Sequence, residues 1–311
     1  MLLSVIIPML NEEEICLRTL GRLETALAGV EHELLFVDDG STDRTRELLL
    51  GAIPEGSANR VISFSRNFGH QAAFSAGLDQ AKGDAVAIID GDLQDPPELI
   101  LDMLAKWREG WQVVYAQRRA RAGEGLFKKL TAAGFYRSLR LFTSVDIPVD
   151  TGDFRLMDRV VVDALKALPE RSRFLRGLVP WVGFRQTGIL YDRAERTAGE
   201  TKYPLKKMLK LAGDGIASFS SVPLHLSLWL GLGAAGVSGL LALWAVVSKF
   251  ALGTAIPGWT SLLIAVVFLG GIQLITIGVV GEYVGRIYDE VKQRPLYILR
   301  EDSPAPGKEA R

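Results

Sequence analysis

The sequence predicts an α/β protein with a mostly parallel sheet, followed by two transmembrane α-helices. Between residues 2 and 114, short apolar β-branched runs alternate with longer stretches of helical period. Further on, residues 222–247 and 259–281 contain no Lys, Arg, Asp or Glu. Each run is longer than the roughly 20 residues that cross a bilayer. The chain therefore combines an α/β domain with a membrane anchor.

Composition agrees with a membrane-attached intracellular protein. The 311 residues are 48% hydrophobic, more than a soluble protein of this length needs. Charges balance at 36 basic and 36 acidic residues, so nothing in the net charge favours a nucleic-acid partner. Cys16 is the only cysteine and there are three histidines, which argues against disulfides and against cysteine-rich or histidine-rich metal centres. The apolar start lacks a basic segment and is too short to span, so we expect a first strand there rather than a signal peptide.

The elements of the first half follow from the apolar pattern. Strands are predicted at 3–8, 33–37, 60–65, 85–89 and 112–116, and helices near 12–28, 42–50, 69–82 and 96–109. Helical crossovers between the strands predict parallel pairing with right-handed connections.

Polar residues follow the first four predicted strands. Because the carboxyl ends of parallel strands share one edge, these residues should line a common crevice of nucleotide size. No Gly-x-Gly-x-x-Gly and no Gly-Lys-Ser/Thr follows a strand, which excludes a dehydrogenase-type dinucleotide fold and a phosphate loop. The groups are Pro8, Asn11 and Glu12 after strand one, Asp38 to Asp43 after strand two, Arg66 to His70 after strand three, and Asp90 to Glu98 after strand four.

The stretch after strand four, Asp90-Gly91-Asp92-Leu93-Gln94, carries the chemistry. Two carboxylates two residues apart on an extended segment can hold a hard cation that also binds phosphate. The alternative is an ordinary turn, since Asp and Gly favour turns for local reasons. A turn followed by a helix cap at Ser41 is likewise an alternative for residues 38–41, and a plain surface position is the alternative for Arg66 and His70.

The second half reads less clearly. Residues 126–142 mix apolar and basic side chains, so either a domain helix or a membrane-surface helix is possible. Residues 150–157 form a compact polar stretch ahead of a helical segment, and residues 181–191 read as a pair of strands. Residues 204–219 place apolar side chains at helical spacing beside three lysines, which favours a helix lying on an anionic membrane surface.

The basic residues around the two spans set the expected topology. Lys202, Lys206, Lys207 and Lys210 precede the first span, Lys249 alone lies between the spans, and Arg286, Lys292, Arg294 and Arg300 follow the second. The positive-inside rule then puts both termini in the cytoplasm, on a multi-pass protein of the inner or plasma membrane. We divide the chain into a cytosolic catalytic domain at 1–203, a surface helix at 204–221, a two-helix transmembrane domain at 222–283 and a cytosolic tail at 284–311, disordered from Glu301.

Six stretches in order resemble family 2 glycosyltransferases of the GT-A fold, and more narrowly the polyprenyl-phosphate glycosyltransferases, whose members include bactoprenol glucosyltransferases and, more distantly, dolichol-phosphate mannose synthase. The resemblance covers nearly the whole chain. The stretches are residues 5–12, 37–43, 66–69, 90–98, 151–155 and 196–203.

The resemblance implies a role for each matching residue. The implied nucleotide-sugar-binding residues are Pro8, Asn11, Glu12, Asp38, Asp39, Arg66 and Asp90. Asp90, Asp92 and Gln94 would hold Mg²⁺ or Mn²⁺ against the diphosphate, and Arg118, Arg196 and Lys202 would face the phosphates of donor or lipid acceptor. Asp153, with Asp92 and Arg118, is an expected catalytic residue; dolichol-type relatives tend to have Ser at the position of Asp153, so its role as a base stays open.

The chemistry favours direct displacement. A lipid monophosphate is already an anion at pH 7 and needs no general base. We therefore expect inverting transfer of a hexose, with UDP-glucose the favoured donor, to polyprenyl (undecaprenyl) phosphate by a homo-oligomer at the bilayer. Two alternatives are a processive polysaccharide synthase, for which the usual Gln-x-x-Arg-Trp stretch is replaced by Gln117-Arg118-Arg119-Ala120, and an inactive membrane scaffold.

Overall fold

A computed structural model describes residues 1–119, 151–171, 173–192, 222–251 and 258–300. Their elements are β1 (Leu3–Met9), α1 (Cys16–Ala26), β2 (His32–Asp38), α2 (Thr45–Ala52), β3 (Arg60–Ser63), α3 (His70–Gln80), β4 (Ala85–Ile88), α4 (Leu99–Arg108), β5 (Val113–Arg118), β6 (Thr151–Asp158), α5 (Arg159–Ala167), α6 (Leu175–Trp181), β7 (Gln186–Tyr191), α7 (Val222–Ala251) and α8 (Trp259–Lys292). The five strands and four helices predicted for the first half are confirmed.

Seven strands form one mixed sheet in the order β3-β2-β1-β4-β6-β5-β7. Pairing is parallel throughout, except that β6 runs antiparallel between β4 and β5. The architecture is GT-A-like, as expected. It places the carboxyl ends of β1 to β5 and the beginning of β6 at one edge.

Strand β6 corrects the sequence interpretation, which read residues 150–157 only as a polar stretch. All but the last residue of Thr151–Asp158 are buried, and strands on both sides satisfy its backbone. Asp153 and Arg155 are compensated by polar partners within the fold, which a sequence pattern does not reveal. Residues 181–191 are also corrected: they contain the end of α6 and the single strand β7.

Helices cover both faces of the sheet. Alternate residues of β1 point to opposite faces, as the period of a strand requires. Leu3, Val5 and Ile7 join α1 and α4 in one core cluster, whereas Ile6 packs with α3 and α5 in the other. The sheet thus carries a hydrophobic core on each side, which fixes the strand ends that bear the polar loops.

Helices α7 and α8 pack against each other and are long and apolar enough to cross a membrane. Their apolar windows are almost entirely exposed within the chain, unlike the core helices of a soluble protein. The predicted spans lie inside these helices. The structure does not describe residues 126–142 or 204–219, where the two further surface-helix predictions fall.

The segment after α8 returns to the sheet. Gln293 ends the helix in a left-handed conformation with φ 50°. Leu299 forms an antiparallel bridge with Phe64, and the Ser65 N–H donates to the Ile298 carbonyl at 2.9 Å. The Tyr297 ring stacks on Phe64 at 5.0 Å, and its hydroxyl donates to Asp79 at 2.9 Å. We call residues 293–300 the return segment.

Candidate active site

The loops after β1 and β2 are tied together at the carboxyl edge of the sheet. The Asn11 N–H donates to Ser41 Oγ at 3.0 Å, and Asn11 Oδ1 accepts from the Thr42 N–H at 2.8 Å. The Glu12 N–H donates to Thr45 Oγ1 at 2.8 Å. The structure therefore brings Asn11 and Glu12 beside the Asp38 loop, while Pro8 is buried in β1.

Asp38 and Asp39 are both buried and shape the loops around them. Asp38 Oδ1 accepts from the Ser41 N–H at 3.0 Å. Ser41 is consequently a loop residue, and the prediction that it caps a helix is wrong, because α2 begins at Thr45. Asp39 accepts from the Phe68 N–H at 2.7 Å and from the Gly69 N–H at 3.0 Å. Burial raises the pKa of Asp39 against the opposing effect of these donors.

Arg66 lies on the loop that Asp39 holds. Its guanidinium stands over the Phe68 ring at 4.0 Å and donates to the Asn67 carbonyl at 2.8 Å. Gly40 packs against this loop with φ +71°, and a Cβ at Gly40 would lie 2.4 Å from the Arg66 carbonyl carbon. The loops after β2 and β3 thus form one packed wall with an exposed cation on it.

The acidic loop follows β4. Gln94 donates its N–H to Asp92 Oδ1 at 3.1 Å, and buried Leu93 between them is held at φ 54°. Asp90 Oδ1 is buried and accepts no hydrogen bond, although His70 Nε2 lies 3.3 Å away. Burial works against the charged form of His70, but Asp90 and Asp153 outweigh it and raise its pKa. A buried carboxylate oxygen whose near neighbour is a cationic group at 3.3 Å is in surroundings that suit a positive charge.

The donor set fits a divalent ion that is shared with a substrate. No group of three or more His, Cys, Asp and Glu side chains within the described ranges could hold a metal alone. Mg²⁺ typically binds one or two carboxylates and completes its shell with phosphate oxygens and water. Asp90, Asp92 and the amide oxygen of Gln94 would supply the protein side of such a shell.

Arg118 ends β5 and belongs to a buried polar chain that the sequence did not reveal. Its Nε donates to Tyr191 Oη at 3.2 Å, and the Tyr191 hydroxyl donates to buried Asp95. Burial, together with Asp95, raises the pKa of Tyr191 to about 12, so it stays a neutral donor. Arg118 also passes close to Gly152, where a Cβ would lie 3.0 Å from Arg118 Nη2.

Asp153 lies near Asp90, since His70 Nε2 is 3.3 Å from Asp90 Oδ1 and 3.9 Å from Asp153 Oδ2. It is only 4% exposed, and Arg176 of α6 donates to both of its oxygens at 2.9 and 2.6 Å. Burial opposes ionisation, but Arg176 outweighs it and lowers the pKa of Asp153.

Of the predicted site residues, those from Pro8 to Asp153 gather along one edge of the sheet, whereas Arg196 and Lys202 lie outside the described residues. Sequence reasoning missed Tyr191, Asp95 and Arg176. Asp95 sits within the acidic motif and could have been singled out. Tyr191 and Arg176 meet their partners 96 and 23 residues away in the chain, and no local pattern marks them.

Comparison with known proteins identifies the family. Residues 4–166 match the model described as glycosyl transferase family 2. The chain belongs to glycosyl transferase family 2. It is 52% identical over 299 residues to an uncharacterized glycosyltransferase, YkcC, of Bacillus subtilis (strain 168), covering 96% of this chain and 93% of that one. It is 42% identical over 303 residues to a protein of Shigella phage SfII named bactoprenol glucosyl transferase, covering 96% and 98%.

Among solved structures, this family 2 chain is similar to glucosyl-3-phosphoglycerate synthase from Mycobacterium tuberculosis in complex with Mn²⁺, uridine diphosphate and phosphoglyceric acid. The identity is 23% and the TM-score 0.48, over 69% of this chain and 76% of that one. The family assignment makes the polar edge of the sheet the candidate glycosyl-transfer site.

Proposed function

We propose that this family 2 transferase moves a hexose, glucose from UDP-glucose, onto a polyprenyl phosphate at the cytoplasmic face of a membrane. The observation that carries the proposal is the acidic loop after β4, in which Asp90 Oδ1 is buried 3.3 Å from His70 Nε2. In the same loop, Asp95 is linked through Tyr191 to Arg118. The two apolar helices and the relative named bactoprenol glucosyl transferase support a lipid acceptor. Both termini would be cytoplasmic, by the distribution of basic residues around the helices.

The donor would lie along the loops after β1 to β4. Asn11, Glu12, Asp38, Asp39 and Arg66 would surround the nucleoside. Asp90, Asp92 and Gln94 would hold Mg²⁺ or Mn²⁺, whose charge stabilises the departing nucleoside diphosphate. Arg118, locked by Tyr191, would face the phosphates from the other side of the acidic loop.

The reaction needs no proton transfer to begin. An oxygen of the acceptor phosphate attacks the anomeric carbon as the bond to the diphosphate oxygen breaks, and the electron pair leaves with the diphosphate. The acceptor is already an anion at neutral pH, so the difficult step is to bring two anions together. In-line displacement gives inversion, from an α-linked donor to a β-linked lipid-phosphate sugar.

The test presents the purified full-length protein with Mg²⁺, undecaprenyl phosphate and a panel of labelled nucleotide sugars. We expect the label of UDP-glucose to enter the organic phase and the product to show a β anomeric configuration by NMR. Label that stays in the aqueous phase with every donor would refute the acceptor class. An α-linked product, or a covalent glycosyl-enzyme, would refute direct displacement.

A further inference from the structure

Asp153 and Arg176 form a buried ion pair that faces the candidate site. Arg176 donates hydrogen bonds from Nε and Nη2 to the two carboxylate oxygens of Asp153. This bidentate geometry fixes the orientation of the guanidinium. The two members differ in exposure: the side chain of Asp153 is 4% exposed, whereas that of Arg176 is 32% exposed. The carboxylate is therefore the hidden partner and the guanidinium the accessible one.

The surroundings hold Arg176 in place from two sides. The Leu175 N–H donates to Gln71 Oε1 of α3 at 2.9 Å, which fixes the start of α6 next to His70. On the other side, buried Arg155 donates to the carbonyls of Gly152 and Asp153, which fixes the part of β6 that carries the carboxylate. Both ends of the ion pair are thus anchored to different elements.

Asp153 is poorly suited to act as a base. A general base must be able to accept a proton, yet two donors from Arg176 already occupy both oxygens and stabilise the ionised form. The nearby charge of Arg155 acts in the same direction. A phosphate acceptor does not need such a base.

The position along the sheet separates this pair from the donor loops. The loops after β1, β2 and β3 lie on one side of the acidic loop of β4, whereas Asp153 on β6 and Arg118 on β5 lie on the other. Arg118 Nη2 passes 3.0 Å from the position that a Cβ would take at Gly152, and Arg176 binds the carboxylate of the next residue, Asp153, so both guanidinium groups lie at the beginning of β6. Asp153 orients Arg176, and Tyr191, which is hydrogen-bonded to Asp95, orients Arg118. The two arginines form a cationic site next to the acidic loop after β4.

We propose that Arg176, oriented by Asp153, binds the phosphate of the acceptor together with Arg118, and that Asp153 is a positioning residue. The proposal rests on the proposed function and extends it to residues outside the motifs. The diphosphate of the donor is the other anion that two arginines could bind. The attachment of Arg118 to β5 and of Arg176 to β6, on the side of the acidic loop away from the loops after β1, β2 and β3, favours the acceptor.

The test compares Arg176→Lys, Arg176→Ala and Asp153→Asn with Arg185→Ala as a matched control. Arg185 is an exposed arginine stacked over Trp111 at the opposite end of β7. We expect Arg176→Lys to raise the KM for undecaprenyl phosphate roughly 10-fold, because Lys keeps the charge but cannot form the bidentate contact. Arg176→Ala removes the charge as well and should raise it roughly 100-fold. The affinity for UDP, measured by calorimetry, should change less than about twofold.

Asp153→Asn separates positioning from base catalysis. Asn retains one acceptor oxygen for Arg176, so we expect a rise of about 10-fold in the acceptor KM, with kcat within about 10-fold of the original. A fall in kcat of about 100-fold or more at unchanged acceptor KM would identify a base and overturn the proposal. Unchanged acceptor KM in the folded Arg176 variants, or a loss of UDP affinity instead, would also overturn it. Failure of the original protein to glycosylate the lipid would refute the proposed function itself.

Discussion

Asp90 is the residue whose surroundings are most specific for phosphate chemistry. Its Oδ1 is buried without a hydrogen bond, a state that costs about 1–3 kcal/mol and that His70, 3.3 Å away, and a bound cation would both relieve. Leu93, two residues before Asp95, is held at φ 54°, a conformation that costs about 1–2 kcal/mol for a residue with a side chain. Both costs fall in the same loop, as expected where a ligand is bound.

Asp92→Asn tests the metal assignment with little change in volume. We expect transfer to fall by at least about 100-fold, because the amide is a weaker ligand and leaves the diphosphate charge uncompensated. Asp102→Asn, an exposed acid on α4, is the control and should keep the original rate. Wild-type turnover in Asp92→Asn, or undiminished wild-type turnover in EDTA, would contradict the assignment.

The packed wall formed by the loops after β2 and β3 depends on contacts between these loops more than on either loop alone. Backbone and side-chain hydrogen bonds join the loops after β1 and β2, and Asp39 joins the second of these to the loop after β3. Gly40 makes the close approach possible. A perturbation at this position should therefore reach Arg66 without touching the metal loop.

Gly40→Ala and Gly56→Ala are a matched pair of variants that tests whether Gly40 allows the loops after β2 and β3 to pack closely. Both glycines have φ between +70° and +80°, but the added methyl of Gly56→Ala meets nothing within 4 Å, whereas that of Gly40→Ala collides with the Arg66 backbone. Gly56→Ala should cost only about 1–2 kcal/mol of unfolding free energy. Gly40→Ala should cost more and weaken UDP binding about 10-fold, as measured by calorimetry. Equal effects of the two variants on UDP binding would contradict the packed wall.

At the level of elements, the sequence predicted what depends on local pattern. Strands β1 to β5 and their helices have clear apolar periods. Asp90 and Asp92 follow from their position after a buried strand, whereas Arg118 was expected from the family resemblance. Strand β6 was missed because Asp153 and Arg155 break its apolar pattern, and the charge of Asp153 is compensated by Arg176, 23 residues away in the chain. Arg176 and Tyr191 were missed for the same reason, since tertiary contacts alone bring them to the site.

On the scale of the whole molecule, the return segment links α8 back to the sheet. Its Tyr297 stacks on Phe64, which in turn meets Phe68 edge-on at 5.8 Å in the loop that carries Arg66. Glu290, near the end of α8, accepts from the Arg171 N–H at 2.9 Å, in the segment that precedes α6. The end of α8 and the return segment therefore contact both the support of the Arg66 loop and the segment before α6.

Tyr297→Phe and Tyr297→Ala measure what this docking contributes. Phe keeps the stacking and loses the hydrogen bond to Asp79, so it should lower the unfolding free energy by about 1 kcal/mol. Ala also loses the ring contact and should cost about 2–3 kcal/mol and raise the KM for the nucleotide sugar, because the Arg66 loop loses its support. The change in stability can be measured from Tm, and the change in KM from nucleotide-sugar kinetics, both on protein in detergent. Wild-type Tm in Tyr297→Ala would show that the segment does not support the domain.

The return segment also changes how freely the sheet can turn relative to the apolar helices. A domain joined to an anchor by one linker can rotate about it, and much of its motion would present the wrong face to a lipid headgroup. A second point of attachment removes most of that rotation, and the entropy is lost at folding rather than at each encounter. For the proposed lipid acceptor, which would arrive only from the plane of a membrane, such a second attachment would limit the orientations that the crevice can take between turnovers.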